Sequence, residues 1–425
     1  MEGVLIIIAF FLMMAIGIPV AVSLGVAAAV YIVGFVDLPP IIIVQQMISG
    51  VDKFTLLAIP FFMMAGSLME QGGISARIVD FAKKLLGPIP GGLALVVVLA
   101  SMIFAAMTGA GAATVAAIGA ILFPQMVKEN YDPDFTCALL ATAGIFGPLI
   151  PPSILMVLYG VATDVSVGDM LMGGVIPGII MGIVVAVTAI LMCKKNGIKA
   201  GRKYSLNEII KSFFKAFWAL MTPIIILGGI YSGIFSPTEA AAVATLYSLI
   251  IGLFVYKELK FKSLFNILFT SMKTTAGVLL IVATTQAFGW VLTKEQIPQL
   301  IAEWFTLLSS SPMIFLFAVA ILLLIAGCFL DPVPAVMIFA PILYPTSKAF
   351  QIDPVHFGVV MVVSLCIGLI TPPVGMNLFV ASSVGNSPVH KIVKHIIPFI
   401  IATLIGLVII ILVPGISTFL PSLVK

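Results

Sequence analysis

The chain has 425 residues, of which 61% are hydrophobic and 9% charged, and its mean hydropathy is +1.26. That composition excludes a soluble globule with a polar skin and predicts an all-α polytopic membrane protein, since the apolar runs are long and lack the two-residue alternation of an outer-membrane barrel. A net charge of +4 carried by loop lysines and arginines excludes a nucleic-acid surface, and four isolated cysteines (Cys137, Cys193, Cys328, Cys366) with no histidine clustered on them give no basis for a metal or redox centre.

Residues 4 to 35 open an apolar run with no basic stretch before it, which predicts a mature membrane helix instead of a cleaved signal. Residues 91 to 123 form a longer apolar stretch interrupted by "MTGAGAATVAAIG" (107 to 119) and predict a re-entrant helical hairpin. Non-helical backbone at membrane depth is tolerated only where protein buries it or where it lines a wet cavity. The small residues at 109 to 117 would equally serve close helix packing. Residues 135 to 160 predict a membrane helix broken at "GPLIPPS" (147 to 153), where adjacent prolines remove two N–H donors and clash with the preceding turn.

The stretch 194 to 217 is the most basic in the chain, which makes it a cytoplasmic linker. Residues 218 to 235 and 238 to 256 then read as an out-and-back pair turned by Ser236 and Pro237, and 263 to 293 cross outward. A second interrupted stretch, 312 to 344, contains "GCFLDPVPAV", a second broken helix, 356 to 381, contains "GLITPPV" (368 to 374), and 416 to 425 form a tail.

Shifting the chain on itself by 221 places sets "ILFP" (121 to 124) over "ILYP" (342 to 345), Gly147 over Gly368, and Pro151 and Pro152 over Pro372 and Pro373. The same shift sets Ser166 over Ser387 and Pro177 over Pro398. This is a duplication, with halves at 1 to 193 and 218 to 415. Lys83 and Lys84 have no basic counterpart around 304, so the halves put opposite sides in the cytoplasm and are read as inverted repeats. In each broken helix, carbonyls freed from the first half-helix can hold a cation, while the N–H groups that start the second half-helix can face an anion. An intramembrane enzyme would need a nucleophile and base or a metal dyad at bundle depth, and Asp331 has no histidine or second acid at helical spacing.

The stretches "FAAMTGAGAATVAAIGAILFPQM", "GIFGPLIPPSILMVLYG", "AGCFLDPVPAVMIFAPILYP" and "GLITPPVGMNLFVASSV", within the two-repeat layout, resemble the large membrane subunit of the tripartite ATP-independent periplasmic (TRAP) transporters, the DctM-like proteins. The resemblance covers nearly the whole chain. It implies an elevator-type secondary transporter of the bacterial inner membrane, driven by sodium ions and embedded in the lipid bilayer. It also implies two partners, a small four-helix membrane subunit and a periplasmic substrate-binding protein that delivers an organic acid of the C4-dicarboxylate or sialic acid type. Because the chain starts directly at the first repeat, the small subunit is expected to be separate. A receptor-independent sodium and anion symporter of similar hairpin design is the alternative.

Carried over by position, the resemblance implies one sodium site at Thr108, Gly109, Gly147 and Ile150, and a second at Gly327, Gly368, Thr371 and Met376, both built largely from main-chain carbonyls. Relatives often have a serine-rich tip where this chain has "TGAGAA" (108 to 113), so carbonyls carry more of the first site here. Asp331, Thr108, Ser153 and Asn377 are the candidates for substrate contact. Two readings of Asp331 stand at this point. "DPVP" is a good helix start, with Asp as N-cap and Pro332 at the first helical position. Its counterpart Ala110 shows that such a tip does not need a carboxylate, so the charge could instead accept a hydrogen bond from a substrate hydroxyl or amide, or sit near the second sodium ion.

Overall fold

The computed structural model describes residues 2 to 36, 38 to 308 and 311 to 424. The described residues are helical throughout, apart from loops and one isolated bridge between Pro90 and Ala200. Eight of the helices are long and apolar enough to cross a membrane, or nine when one bent pair is taken as a single span.

Two helix pairs and two broken helices organise the molecule. In the first pair, Gly92–Thr108 ends where Gly109 takes a left-handed φ of +65° and its N–H donates back to Ala105 O, and Gly111–Lys128 begins after an extended Ala110. Glycine adopts that φ without the steric cost a side chain would bring, so the turn needs only two residues. In the second pair, Pro312–Phe329 ends at an extended Leu330 and Pro332–Ala349 starts at once. Here the turn is made by helix-start chemistry. Asp331 accepts the Val333 N–H at 2.9 Å, and Pro332 occupies the first helical position, where a missing N–H costs nothing.

The first broken helix runs Pro133–Ala143, a short turn Phe146–Leu149, an extended stretch through Ile150 to Ser153, and Ile154–Thr163, with a bend of 42°. The second runs Pro354–Gly368, an irregular stretch, and Met376–Gly385, entered from Gly375 at φ +57°. The peptide bonds Pro151–Pro152 and Pro372–Pro373 are both cis.

These elements pack crosswise. Gly111–Lys128 lies on Met376–Gly385, and Pro332–Ala349 lies on Ile154–Thr163, so each helix pair rests on the far half of the other broken helix. Polar contacts cross in the same places. Tyr159, fully buried, donates its hydroxyl to Pro354 O at 2.9 Å and meets the ring of Tyr344 edge-on at 6.2 Å. Val175–Lys195 and Val389–Leu412 pack on each other and complete this unit. Small residues set the approach, because lipid is as apolar as leucine and gives helices no hydrophobic drive to associate. A Cβ on Gly358, for example, would lie 2.4 Å from the Tyr159 ring.

The remaining helices form a second group. Ala58–Gln71 packs on Pro237–Ile250, and Leu206–Tyr231 packs on Ile74–Leu86. The 34-residue helix Phe261–Lys294 lies along Val20–Val30 and Ile41–Val51 and touches the other group at Pro332–Ala349. At 1.5 Å per residue it is about 51 Å long, well beyond the roughly 30 Å of a hydrocarbon core.

The helix expected to start at 218 begins at Leu206, inside the basic stretch. Its start is a capping box, in which Ser205 Oγ accepts the Glu208 N–H at 3.3 Å and Glu208 accepts the Ser205 N–H at 2.8 Å. Residues 415 to 424, expected as a tail, also form a helix.

Candidate functional site

Each helix pair presses against a glycine in a broken helix. A Cβ placed on Gly147 would fall 2.4 Å from Ala110 C and 2.6 Å from Gly111 N, and one on Gly368 would fall 2.5 Å from both Gly327 C and Gly327 Cα. Contacts below 3.0 Å to backbone leave no room for any side chain, so both approaches require glycine. The two contacts are not equivalent. Gly147 meets the first turn itself, whereas Gly368 meets Gly327, four residues before Asp331.

At the first contact the structure brings together Gly109, Gly147 and the first break. Gly109 faces Pro152 O, which would lie 3.1 Å from a Cβ placed there, and Ile150 is extended with its N–H on Phe146 O at 2.8 Å. Thr108 is buried, with its hydroxyl donating to Phe104 O at 3.3 Å. Ser153 is fully buried, its hydroxyl donating to Pro148 O and accepting the Met156 N–H at 3.3 Å. That hydroxyl closes the break, and neither Ser153 nor Thr108 is among the residues that line the cavity described below.

At the second contact Gly327 and Gly368 touch, and Thr371 donates its hydroxyl to Ile367 O at 2.8 Å and its N–H to Gly368 O at 3.0 Å. Gly375 donates to Cys328 O at 3.2 Å, tying the second pair to the second break. Met376 starts the next half-helix and is half-exposed.

Asn377 joins the two contacts. It is fully buried, donates Nδ2 to Ala141 O at 3.2 Å, and holds Oδ1 close to Gly111, where it has no hydrogen-bond partner among the described residues. A buried amide oxygen left unpaired is costly, which makes this atom a ready acceptor for a ligand or ion.

Both turns, both breaks and one face of Phe261–Lys294 line an open cavity of about 910 Å³. Its lining includes Gly109, Met376, Asn377 and Asp331. The wall is largely apolar, and Asp331 and Lys273 are the charged residues on it among the described residues. Reading the sequence did not single out Lys273, although it is the lone charge between Lys262 and Lys294. An ionisable residue inside so long an apolar run was the available signal.

At the periphery, Asp132, Asp134 and His395 bring ligand-capable atoms within 4.8 Å of one another. Asp132 accepts the Phe135 N–H at 2.8 Å as a helix cap and Asp134 accepts the Ser387 hydroxyl, which accounts for both carboxylates without a ligand.

Comparison with known proteins places the arrangement in a family. The family described as "Tripartite ATP-independent periplasmic transporter, DctM component" matches residues 7 to 416. The chain is 43% identical to the C4-dicarboxylate TRAP transporter large permease protein DctM of Pseudomonas aeruginosa, over 94% of each chain. It is 40% identical to the sialic acid TRAP transporter large permease protein SiaM of Vibrio cholerae, over 96% of this chain and 95% of that one. It is also 42% identical to the isethionate TRAP transporter permease protein DctMQ of Oleidesulfovibrio alaskensis, over 96% of this chain and 65% of that longer one. Among solved structures, the YdaH transporter of Alcanivorax borkumensis shares the fold with a TM-score of 0.66 at 15% identity, over 88% of this chain and 87% of that one. The chain belongs to the DctM component of the tripartite ATP-independent periplasmic transporters, and is a multi-pass permease subunit of the bacterial inner membrane, not an enzyme.

Proposed function

We propose that this permease imports an organic acid of the C4-dicarboxylate or sialic acid type, coupled to sodium ions, together with a small four-helix membrane subunit and a periplasmic binding protein that delivers the acid. The observation that carries this reading is the meeting of two helix pairs with two helix breaks beside one cavity. Broken helices leave main-chain carbonyls without intrahelical partners, and such carbonyls are suited to a hard, weakly selective cation such as sodium. The first sodium site takes carbonyls around Thr108, Gly109, Gly147 and Ile150, and the second those around Gly327, Gly368, Thr371 and Met376. Asp331 and Asn377 face the substrate.

In this reading the halves are inverted repeats. The crosswise unit is the moving part of an elevator, and the group that contains Phe261–Lys294 is its frame. Sodium bound between a turn and a break holds the two together, so occupancy of the sites and closure over the substrate favour each other by linkage.

The test is uptake into vesicles holding the permease and its small subunit, with the binding protein outside. Accumulation is expected only under an inward sodium gradient. Equal uptake with potassium in place of sodium throughout would overturn the coupling, and full uptake without the binding protein would point to a receptor-independent symporter.

A further inference from the structure

We propose that Lys273 is the substrate's anion-binding group on the frame side of the cavity that Asp331 also lines, so that the acid lies with its negative group toward Lys273 and its hydroxyl or amide groups toward Asp331. This inference rests on the transport reading above and deepens it.

Lys273 stands 12 residues into a helix that is otherwise apolar for most of its length, about 18 Å along it from Phe261. A cation there has to face water, an anion or the headgroup region. Here it faces the cavity. Thr270, Lys273, Thr274 and Gly277 all line it, and their spacing of three, four and seven residues marks one helix face. Lys273 is solvent-exposed in the chain, and no salt bridge or hydrogen bond of its side chain is found among the described residues. It is therefore a cation without a protein partner among the described residues, on the wall of a space large enough for a small acid, between Thr270 and Thr274, whose hydroxyl donates to Thr270 O at 3.0 Å.

Asp331 sets the polarity across that space. As a carboxylate it repels an acid group and accepts hydrogen bonds, so an acid turns its charged end away from it. Lysine is a mobile point charge with three donors and no fixed fork, so it can meet carboxylates or sulfonates of different shapes. Because Lys273 belongs to the long helix and Asp331 to the helix-pair turn, the elevator reading puts the pair on opposite sides of the sliding boundary. The lysine then engages substrate in the alignment described here, while the sodium sites, built wholly within the other group, are untouched by its charge.

Two measurements test this on the purified permease with its small subunit. Thermal stabilisation in sodium buffer by succinate, N-acetylneuraminate and isethionate gives the half-saturating concentration of each probe, and vesicle uptake of the same probes with the binding protein gives transport. The Lys273→Gln variant is expected to raise the half-saturating concentration of the accepted probe on the order of tenfold or more, with the sodium-induced stabilisation unchanged, and Lys273→Arg is expected to recover most of the affinity. Lys273→Cys allows the charge to be rebuilt, since the native cysteines are buried. Aminoethylation of the new thiol should restore probe affinity and sulfonatoethylation should not. A Lys273→Gln protein with wild-type probe affinity and uptake overturns the assignment and leaves the transport reading standing. A wild-type complex that takes up no probe under a sodium gradient overturns the transport reading and this assignment together.

Discussion

Gly147→Val and Gly368→Val each reduce sodium-driven uptake to background, while Thr371→Ala only weakens it. The Cβ at either glycine would sit 2.4 or 2.5 Å from the main chain of Ala110 or Gly327, and those atoms cannot swing aside as a side chain can. The turn and the break must separate, and with them the carbonyls proposed to hold sodium. Overpacking of this kind costs about 1 to 3 kcal/mol, which a folded chain can absorb, so the proteins should still reach the membrane. Valine adds a β-branched side chain with few rotamers, which narrows the ways to relieve the clash. Thr371→Ala removes one hydroxyl, bonded to Ile367 O at 2.8 Å, and leaves its carbonyl in place. The measurement is initial uptake against sodium concentration, with melting of the purified protein alongside. Both valine variants folding and transporting at wild-type rates would place the sodium sites elsewhere.

Asp331→Asn keeps the melting temperature and loses uptake by at least about tenfold, whereas Asp331→Ala loses both. Asparagine caps a helix about as well as aspartate, and the bond to be kept is the one from the Val333 N–H at 2.9 Å. Loss of that cap in the alanine variant costs about 0.5 to 2 kcal/mol. The charge has a separate role. It is the carboxylate on the wall of the cavity among the described residues, it faces the substrate in the proposed reading, and the equivalent residue in the first turn, Ala110, carries none. Uptake of each probe and thermal melting of both variants separate the two effects. Full transport by Asp331→Asn, with only the alanine variant unstable, would reduce Asp331 to a cap.

The breaks in the helices were legible from Pro151, Pro152, Pro372 and Pro373, because proline's missing donor and its clash with the preceding turn act locally. Asp331 was legible as a helix start for the same reason, since a cap depends on neighbours two or three residues away. The start of the helix at Leu206 was also written in the sequence, as Ser205 and Glu208, but the positive charge around it made the segment read as a linker. What composition and spacing could not give was contact between distant segments. Ser153 looks like a free hydroxyl in "PPS" until folding turns it onto Pro148 O. Lys273 and Asp331 are 58 residues apart, and only the packing of the long helix with the second helix pair puts both on the lining of one cavity. The unpaired Oδ1 of Asn377 depends in the same way on Gly111, more than two hundred residues earlier.

The crosswise packing has a consequence for how the chain is made. Gly111–Lys128 is synthesised about 250 residues before Met376–Gly385, the helix it rests on. At about 5 to 20 residues per second that interval is on the order of 10 to 50 s, whereas a helix forms in about a microsecond. The first helix pair thus spends many seconds in the bilayer with its hydrogen bonds made and its partner not yet translated. During that time the glycine-rich turn at 109 to 111 and the break at 147 to 153 have each other, but the faces they later turn to the second half have only lipid, water or the insertion machinery to cover them. Completion of the second half, and not the formation of any helix, is the event that locks the first.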